Sequence, residues 1–376
     1  MARHAYLSAS ASDRWIKCPP SAKLCAREED KGSPYAQQGT DAHELCQYLL
    51  EAALGRETAP PGNLTWYDAE MQEAAEGYRD FVMEKVEESR RLCRDPLVCV
   101  EQTLDFSKWV EHGFGTGDCV IVADDLLHII DFKYGLGVLV EATDNSQLKC
   151  YALGAVDTFG DLYDIRRIRL SIYQPRRENV DTFELTKDEL IRWAEDVLVP
   201  AAKLAYEGAG EFSAGDHCRF CKVKATCRKR AEYGMELAGY EFAEAPTLSE
   251  AEIAEILPRI DSLVAWAEDV KDHALKQALT GIRYPGFKLV EGRSNRKYSD
   301  ETAVAEAVSG AGYDPYEKKL LGITAMQKQL GKAQFEQLLN GLVIKPQGKP
   351  VLAPDTDRRP EFNTAKYDFT EENENE

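Results

Sequence analysis

Hydrophobic residues first recur at helical spacing at Ala42, Leu45, Cys46, Leu49, Leu50 and Ala53, and the run stops at Gly55. Thr40 stands where an N-cap belongs, so a helix is predicted to start there. Met71, Ala74, Ala75, Tyr78, Phe81, Val82 and Val86 carry a second, longer helix from Asp68 to Arg91. After Pro96 the period changes, and Leu97 to Leu104 reads as a strand. Two short apolar runs follow, Val120 to Val122 and Leu127 to Ile130, joined by the polar turn Ala123-Asp124-Asp125, which predicts a hairpin within 117–133. A helix near 145–156, a strand from Ile168 to Tyr173 that ends at Pro175, and a helix from Thr186 to Tyr206 complete the first part of the chain.

The order helix, three strands, helix, strand argues for an α/β layer with a mixed sheet rather than a bundle or a sandwich. Beyond Tyr240 the texture changes. Pro246 precedes a helical run from Leu248 to Leu279, then come a basic extended stretch from Gly286 to Tyr298, helices near 301–309 and 324–340, a Pro-rich loop from Lys345 to Pro360 and an acidic tail. We therefore expect one domain over residues 1–240 and a mainly helical accessory region over 241–376, in line with a length beyond the usual limit of a single core.

Charge and cysteines narrow the function classes. A formal net charge of −19 excludes a protein that coats nucleic acid by bulk attraction. Local binding stays open, because basic residues cluster at Arg166 to Arg177, Asp216 to Arg230 and Arg283 to Lys297. No stretch approaches the ~20 apolar residues of a membrane span, and Met1 to Ser10 lacks the apolar run of a secretory signal, so a cytoplasmic protein without a membrane partner is expected. In that setting ten cysteines are buried thiols or metal ligands rather than a disulfide framework.

Two constellations carry chemistry. Pairing of the hairpin strands brings Asp118 and Asp131 to neighbouring strand ends, where two carboxylates can share a hard divalent cation. Lys133 lies two residues beyond Asp131, on the same face. A cation that neutralises phosphate and a nearby ammonium are what phosphodiester hydrolysis requires. The same residues also fit a solvated hairpin with a surface ion pair, and only context separates the two. Glu101, in the preceding strand, is either a supporting residue or simply exposed.

The second constellation is Cys218, Cys221 and Cys227, spaced C-x2-C-x5-C. Three thiolates in ten residues converge on one metal centre. Cys18 is the natural fourth ligand, with His217 and Cys25 as alternatives. One triplet plus a lone distant cysteine suits an iron–sulfur cluster better than zinc, which ordinarily takes two short ligand pairs. Cys46, Cys93, Cys99, Cys119 and Cys150 sit singly in apolar runs and read as ordinary thiols.

Together these residues resemble the PD-(D/E)xK nuclease superfamily, in its RecB-like, Cas4-like branch with an iron–sulfur cluster, and most of all phage and prophage proteins of the DUF2800 type. The resemblance spans residues 6 to 232. It implies a restriction-endonuclease-like αβββαβ core whose two ends are stapled by a 4Fe-4S cluster on Cys18, Cys218, Cys221 and Cys227. It also implies a metal-dependent DNA nuclease, most simply an exonuclease in phage replication or recombination inside the bacterial host. In that pattern Asp118 and Asp131 bind Mg2+ or Mn2+, with the Phe132 carbonyl and His43 completing the ligand set. Lys133 stabilises the charge that develops on phosphorus, while Gln147 and Tyr151, from a Q-x3-Y match, position the phosphate or the lysine. Arg219, Lys222, Lys224 and Arg228 would contact the DNA backbone. The second acid is Asp131 where many relatives have glutamate, a ligand one methylene shorter. Expected partners are DNA, a phage single-strand-binding or replication protein, and further copies of the chain. The competing readings are a non-catalytic DNA-binding or assembly factor that keeps the fold and cluster, and a zinc protein that organises a partner-binding module.

Overall fold

The computed structural model describes residues 5–29, 32, 34–236, 248–291, 298–316 and 320–344. Contacts divide the chain into two units, Met1–Gln277 and Ala278–Glu376. The first is a mixed α/β unit built on a five-stranded mixed sheet.

Its strands are β1 (Leu97–Asp105), β2 (Phe114–Ala123), β3 (Leu126–Phe132), β4 (Arg167–Gln174) and β5 (Asn179–Thr186), in that order across the sheet. The β2–β3 hairpin turns at Asp124, whose φ of 54° is the left-handed conformation a tight hairpin requires. β3 and β4 run parallel, connected by the crossover helix α5 (Ser146–Phe159), and the other pairs are antiparallel. Asn145 caps α5 by accepting from the Leu148 amide at 3.1 Å. An ideal Cβ on Gly154 would lie 3.0 Å from the Leu104 backbone, so glycine there lets α5 pack closely on β1.

Each face of the sheet buries its own apolar layer. Val120, Val122, Leu127, Ile129, Leu170 and Ile172 pack against α5 and the helical segments near both ends of the unit. Cys119, Ile121, Ile130 and Phe132, on the alternate positions, pack against α3 (Pro34–Ala53) and α4 (Ala69–Arg90). Two short helices, α1 (Ser12–Lys17) and α2 (Pro20–Ala26), precede α3 and escape a reading by hydrophobic period because each is under two turns.

Three expectations change in detail. α3 starts at Pro34, six residues before Thr40, because proline suits a first turn that needs no amide donor. Thr40 is instead interior, its hydroxyl donating to the Ala36 carbonyl at 3.1 Å. The helix predicted over 186–206 is α6 (Lys187–Trp193), capped by Thr186, and α7 (Val199–Glu207), joined by one π-helical turn over Ala194–Leu198. β5 is an edge strand that the hydrophobic pattern does not announce.

β3 also buries His128, which shares its Nε2 with the Ser171 hydroxyl at 2.8 Å while Nδ1 has no hydrogen-bond partner among the described residues. Burial, with Arg169 and Lys85 nearby, lowers its pKa from 6.5 to about 3. The unfolded chain therefore binds a proton that the native state refuses between those values, and stability is lost as pH falls through that window. The full linkage amounts to roughly 5 kcal/mol. Urea titrations of His128→Leu should show a shallower loss of stability from pH 7 to 4 than the parent; parallel pH profiles would mean that other groups control acid unfolding.

After α8 (Arg228–Glu236), the long helix α9 (Glu250–Leu279) closes the first unit, its Trp266 covering Gly234. The second unit holds α10 (Glu301–Gly310), α11 (Ile323–Leu330) and α12 (Lys332–Leu339). The helix predicted over 324–340 is broken at Gly331, whose φ of 75° leaves the helical region. Residues 292–297 of the basic stretch, the 345–360 loop and the acidic tail lie outside the described residues. Among the described residues no helix is long and apolar enough to cross a membrane.

Candidate functional site

Strand register aligns three acids. In β2–β3, Cys119 faces Ile130, so the next position outward sets Asp118 against Asp131. In β1–β2, Val100 faces Cys119 and Gln102 faces Gly117, which sets Glu101 on the other flank of Asp118. Residues directly opposed on antiparallel strands lie ~5 Å apart, and like charges so placed repel. Glu101 takes a left-handed φ of 49°, unusual for a non-glycine residue, and is left out of the ladder between its paired neighbours.

The surrounding helices supply the other groups. From α3, His43 places Nδ1 3.2 Å from Asp118 Oδ1, with its ring edge-on to Phe132 at 5.3 Å between centroids. Asp118 Oδ2 accepts from the Phe132 amide at 2.6 Å, and the Phe132 ring itself is fully buried. Lys133 Nζ lies 3.0 Å from Asp131 Oδ2 and donates to Gln147 Oε1 at 3.1 Å. Gln147 Nε2 in turn reaches Asp131 Oδ1 at 3.3 Å and Tyr151 OH at 3.0 Å. Gln147 and Tyr151 sit one turn apart on α5, so both aim at the same strand end. All seven residues expected at a divalent-ion site (His43, Asp118, Asp131, Phe132, Lys133, Gln147 and Tyr151) are thus brought together.

Glu101, which the sequence leaves open as supporting or exposed, joins them. Donor atoms of His43, Glu101 and Asp118 all lie within 4.8 Å of one another. Its position opposite Asp118 was available in the sequence only through the strand register.

The electrostatics show how crowded the site is. Burial lifts the Asp131 carboxyl above its usual value and outweighs Lys133, with Asp118 adding to the effect. Burial also opposes ionisation of Asp118, yet His43, Lys133 and the Phe132 amide together hold it low. Glu101 is pushed up to about 7 by burial and by Asp118. Despite its own burial, His43 is raised to about 9 by Asp118, Asp131 and Glu101. These shifts describe surplus negative charge with too few cations to balance it. The donor set, carboxylates plus an imidazole, is one that a hard or borderline divalent ion accepts.

A second centre lies where α1 and α2 meet the segment before α8. Cys18, Cys218, Cys221 and Cys227 line one small cavity, together with Arg14, Ser21, His217 and Arg230. Residues 18 and 218 are brought together from opposite ends of the α/β unit. Cys25 stands beside this group, its Sγ 3.7 Å from Cys221 Sγ and accepting from the Lys222 amide at 3.3 Å. The contact with Cys221 holds the Cys25 thiol down to about 6, while the same contact and burial push Cys221 up. His217 is buried, with Nε2 near the Ser213 carbonyl. Four sulfurs around one cavity match the ligand count of a tetrahedral metal or a cubane cluster. Arg14, on a helix too short to be read from period, is a lining residue that the sequence did not single out.

The basic residues divide. Arg219 and Arg228 are exposed, and Lys222 extends its ammonium to the Glu28 carbonyl at 3.2 Å. Lys224 pairs with Asp269 at 2.7 Å, and the buried Arg230 holds the same carboxylate at 2.6 Å, fixing α9 against the cysteine segment. In the Arg166 to Arg177 cluster, Arg166, Arg167, Arg169 and Arg176 each pair with an acid, so that cluster is locally neutralised.

Comparison with known proteins gives two findings. A family model described as "Protein of unknown function (DUF2800)" matches residues 4–360. A solved structure titled "Crystal structure of SSO0001" aligns with 58% of this chain and 96% of its own at 11% identity, with a TM-score of 0.22, and that overlay is too loose to carry weight.

Proposed function

We propose that this chain, which belongs to the DUF2800 family, is a divalent-metal-dependent deoxyribonuclease of the PD-(D/E)xK type, acting on DNA with single-stranded character or free ends. One observation carries the reading: Asp118 and Asp131 stand abreast on β2 and β3, with His43 on one side and the Lys133–Gln147–Tyr151 chain on the other. A surface hairpin with an incidental ion pair does not need an imidazole, an amide and a phenol converging from two helices.

In this reading Asp118, Asp131, the Phe132 carbonyl and His43 hold Mg2+ or Mn2+. That ion supplies phosphate neutralisation and a more acidic water. Lys133 keeps an ammonium beside the place where negative charge grows on the phosphoryl oxygens. Gln147 fixes that ammonium by accepting one of its protons and is itself braced by Tyr151, so the lysine is oriented before substrate arrives. Cys18, Cys218, Cys221 and Cys227 hold a 4Fe-4S cluster whose role is to join the N-terminal helices to the segment before α8. Arg219, Lys222 and Arg228 offer positive charge for the strand backbone beside it, whereas Lys224 is committed to Asp269.

Digestion of end-labelled single- and double-stranded DNA with Mg2+ or Mn2+ tests the reading. Products should form with metal, vanish with chelator, and be strongly reduced for Asp118→Asn and Lys133→Ala. Equal degradation by all three proteins means a contaminant or another site; tight DNA binding without cleavage by any would instead indicate a binding factor.

A further inference from the structure

Five cysteines meet where the two ends of the α/β unit come together. Cys18, Cys218, Cys221 and Cys227 line the cavity described above, and Cys25 stands outside it with its Sγ 3.7 Å from Cys221 Sγ. Four sulfurs complete a tetrahedral or cubane centre and leave the fifth over. Nor is Cys25 a packing residue of the sheet: Cys46, Cys119 and Cys150 lie within its two apolar layers, and Cys25 lies in neither. Its sulfur accepts at 3.3 Å from the amide of Lys222, the residue that follows Cys221. Two buried thiols thus face each other across 196 residues of chain.

Sulfurs 3.7 Å apart are in contact without a bond. A disulfide is ~2.05 Å long, so the pair must close by about 1.7 Å, less than one χ1 rotation moves a sulfur. Burial keeps bulky disulfides away from both thiols, and hydrogen peroxide, little larger than water, is the kind of oxidant that reaches them. Left alone after its metal departs, the Cys221 sulfur would climb under peroxide to sulfinic acid, from which no dithiol recovers it. A neighbouring thiol stops that climb at its first step.

We propose that Cys25 is the guard thiol of Cys221: when the metal centre is lost, hydrogen peroxide joins the two as a disulfide, and reduction restores Cys221 as a ligand. One thiol sulfur attacks a peroxide oxygen, the O–O bond breaks, and the departing hydroxide leaves as water with that thiol's proton, giving a sulfenic acid. The second sulfur then attacks the sulfenic sulfur, the S–O bond breaks, and a second water leaves with the second thiol's proton. Two thiols have given two electrons to one peroxide, and an added dithiol returns them. The link ties α2 to the segment before α8, so the ends of the unit stay joined while the metal is absent. Its purpose rests on the metal-centre reading above, whereas the bond itself forms between this chain's own sulfurs.

The test treats the full-length protein as isolated with chelator and equimolar hydrogen peroxide, alkylates the remaining thiols and maps the peptides without reduction. The parent should yield one cross-linked pair that joins Cys25 to Cys221 and disappears with dithiothreitol. Given dithiothreitol, Fe2+ and sulfide afterwards, the parent should regain most of its metal, and Cys25→Ser and Cys25→Ala less than half of theirs. Cys221 linked instead to Cys18, Cys218 or Cys227 overturns the proposal, as does a Cys25→Ser protein that regains metal as fully as the parent. Cys25→Ser isolated with less metal than the parent also overturns it, because Cys25 is then a ligand rather than a guard. Should both variants fail to fold, the cross-link in the parent still decides. A parent isolated without metal removes the cluster reading instead, and the Cys25–Cys221 link, which needs no metal, is read in the same way.

Discussion

Replacing Asp118 with asparagine is expected to lower DNA cleavage at saturating Mn2+ by about a thousandfold or more, since the ion is asked for several kcal/mol of barrier reduction and each ~1.4 kcal/mol is tenfold. Asparagine can still accept from the Phe132 amide, so the strand ends stay joined and the loss is one of charge rather than of fold. His43, Lys133 and the Phe132 amide hold the Asp118 carboxylate below its usual value, so neutralising it forfeits part of that attraction and the melting temperature should fall slightly. Lys133→Ala is expected to cost roughly a hundred- to a thousandfold in rate, the scale of removing one oriented donor from a developing oxyanion. It should leave metal binding in place, because the ammonium is not a ligand. Single-turnover cleavage of labelled DNA, run beside thermal melts, separates these outcomes. Should Asp118→Asn lose activity only because it melts well below the parent, the loss would say nothing about the ion.

Cysteine-to-serine replacement at 218 should have an effect of comparable size on folding. The cavity lined by Cys18, Cys218, Cys221 and Cys227 lies between α1, α2 and the segment before α8, each under two turns of helix. Metal binding in such a place is folding free energy, commonly several kcal/mol or more. At ~2–4 °C per kcal/mol, a drop in melting temperature on the order of 10 °C is expected, together with loss of bound iron and of the brown absorbance near ~400 nm that iron–sulfur proteins show. Cys93→Ser, on a half-exposed thiol with no part in that cavity, is the matched control and should change neither. Iron retained in full by Cys218→Ser, with Cys25 also intact, points to Cys25 as the fourth ligand, and the double variant decides it.

Much of the sheet and most of the site were legible because they rest on local rules. The β2–β3 hairpin follows from two apolar runs around Asp124-Asp125, and that pairing alone sets Asp118 opposite Asp131. α5 is expected near 145–156, while the Gln147–Tyr151 pair on it is picked out by the Q-x3-Y resemblance rather than by a local rule. Where reading failed, tertiary context had overridden the pattern. β5 is hidden because an inward position that would ordinarily be apolar is Asp181, buried there to accept from the Ala142 amide at 2.8 Å. Glu101 is named in the sequence as either supporting or exposed, and its left-handed backbone beside Asp118 is what stays hidden, since nothing about glutamate signals that conformation. The cysteine triplet was visible from spacing, but that Cys18 shares a cavity with it, while Cys25 touches Cys221 from outside, depends on how α1 and α2 pack.

The distance in sequence between Cys18 and Cys227 bears on when the protein can be finished during synthesis. Once α1 and α2 have left the ribosome, their sulfur partners remain unmade for roughly ten to forty seconds at about 5–20 residues per second. Throughout that interval the first cysteines stand open to oxidants and to stray metal ions. Delivery of the proposed cluster would therefore be a late event, and growth conditions that slow translation or starve the cell of iron should then diminish the yield of intact chain before they affect anything downstream.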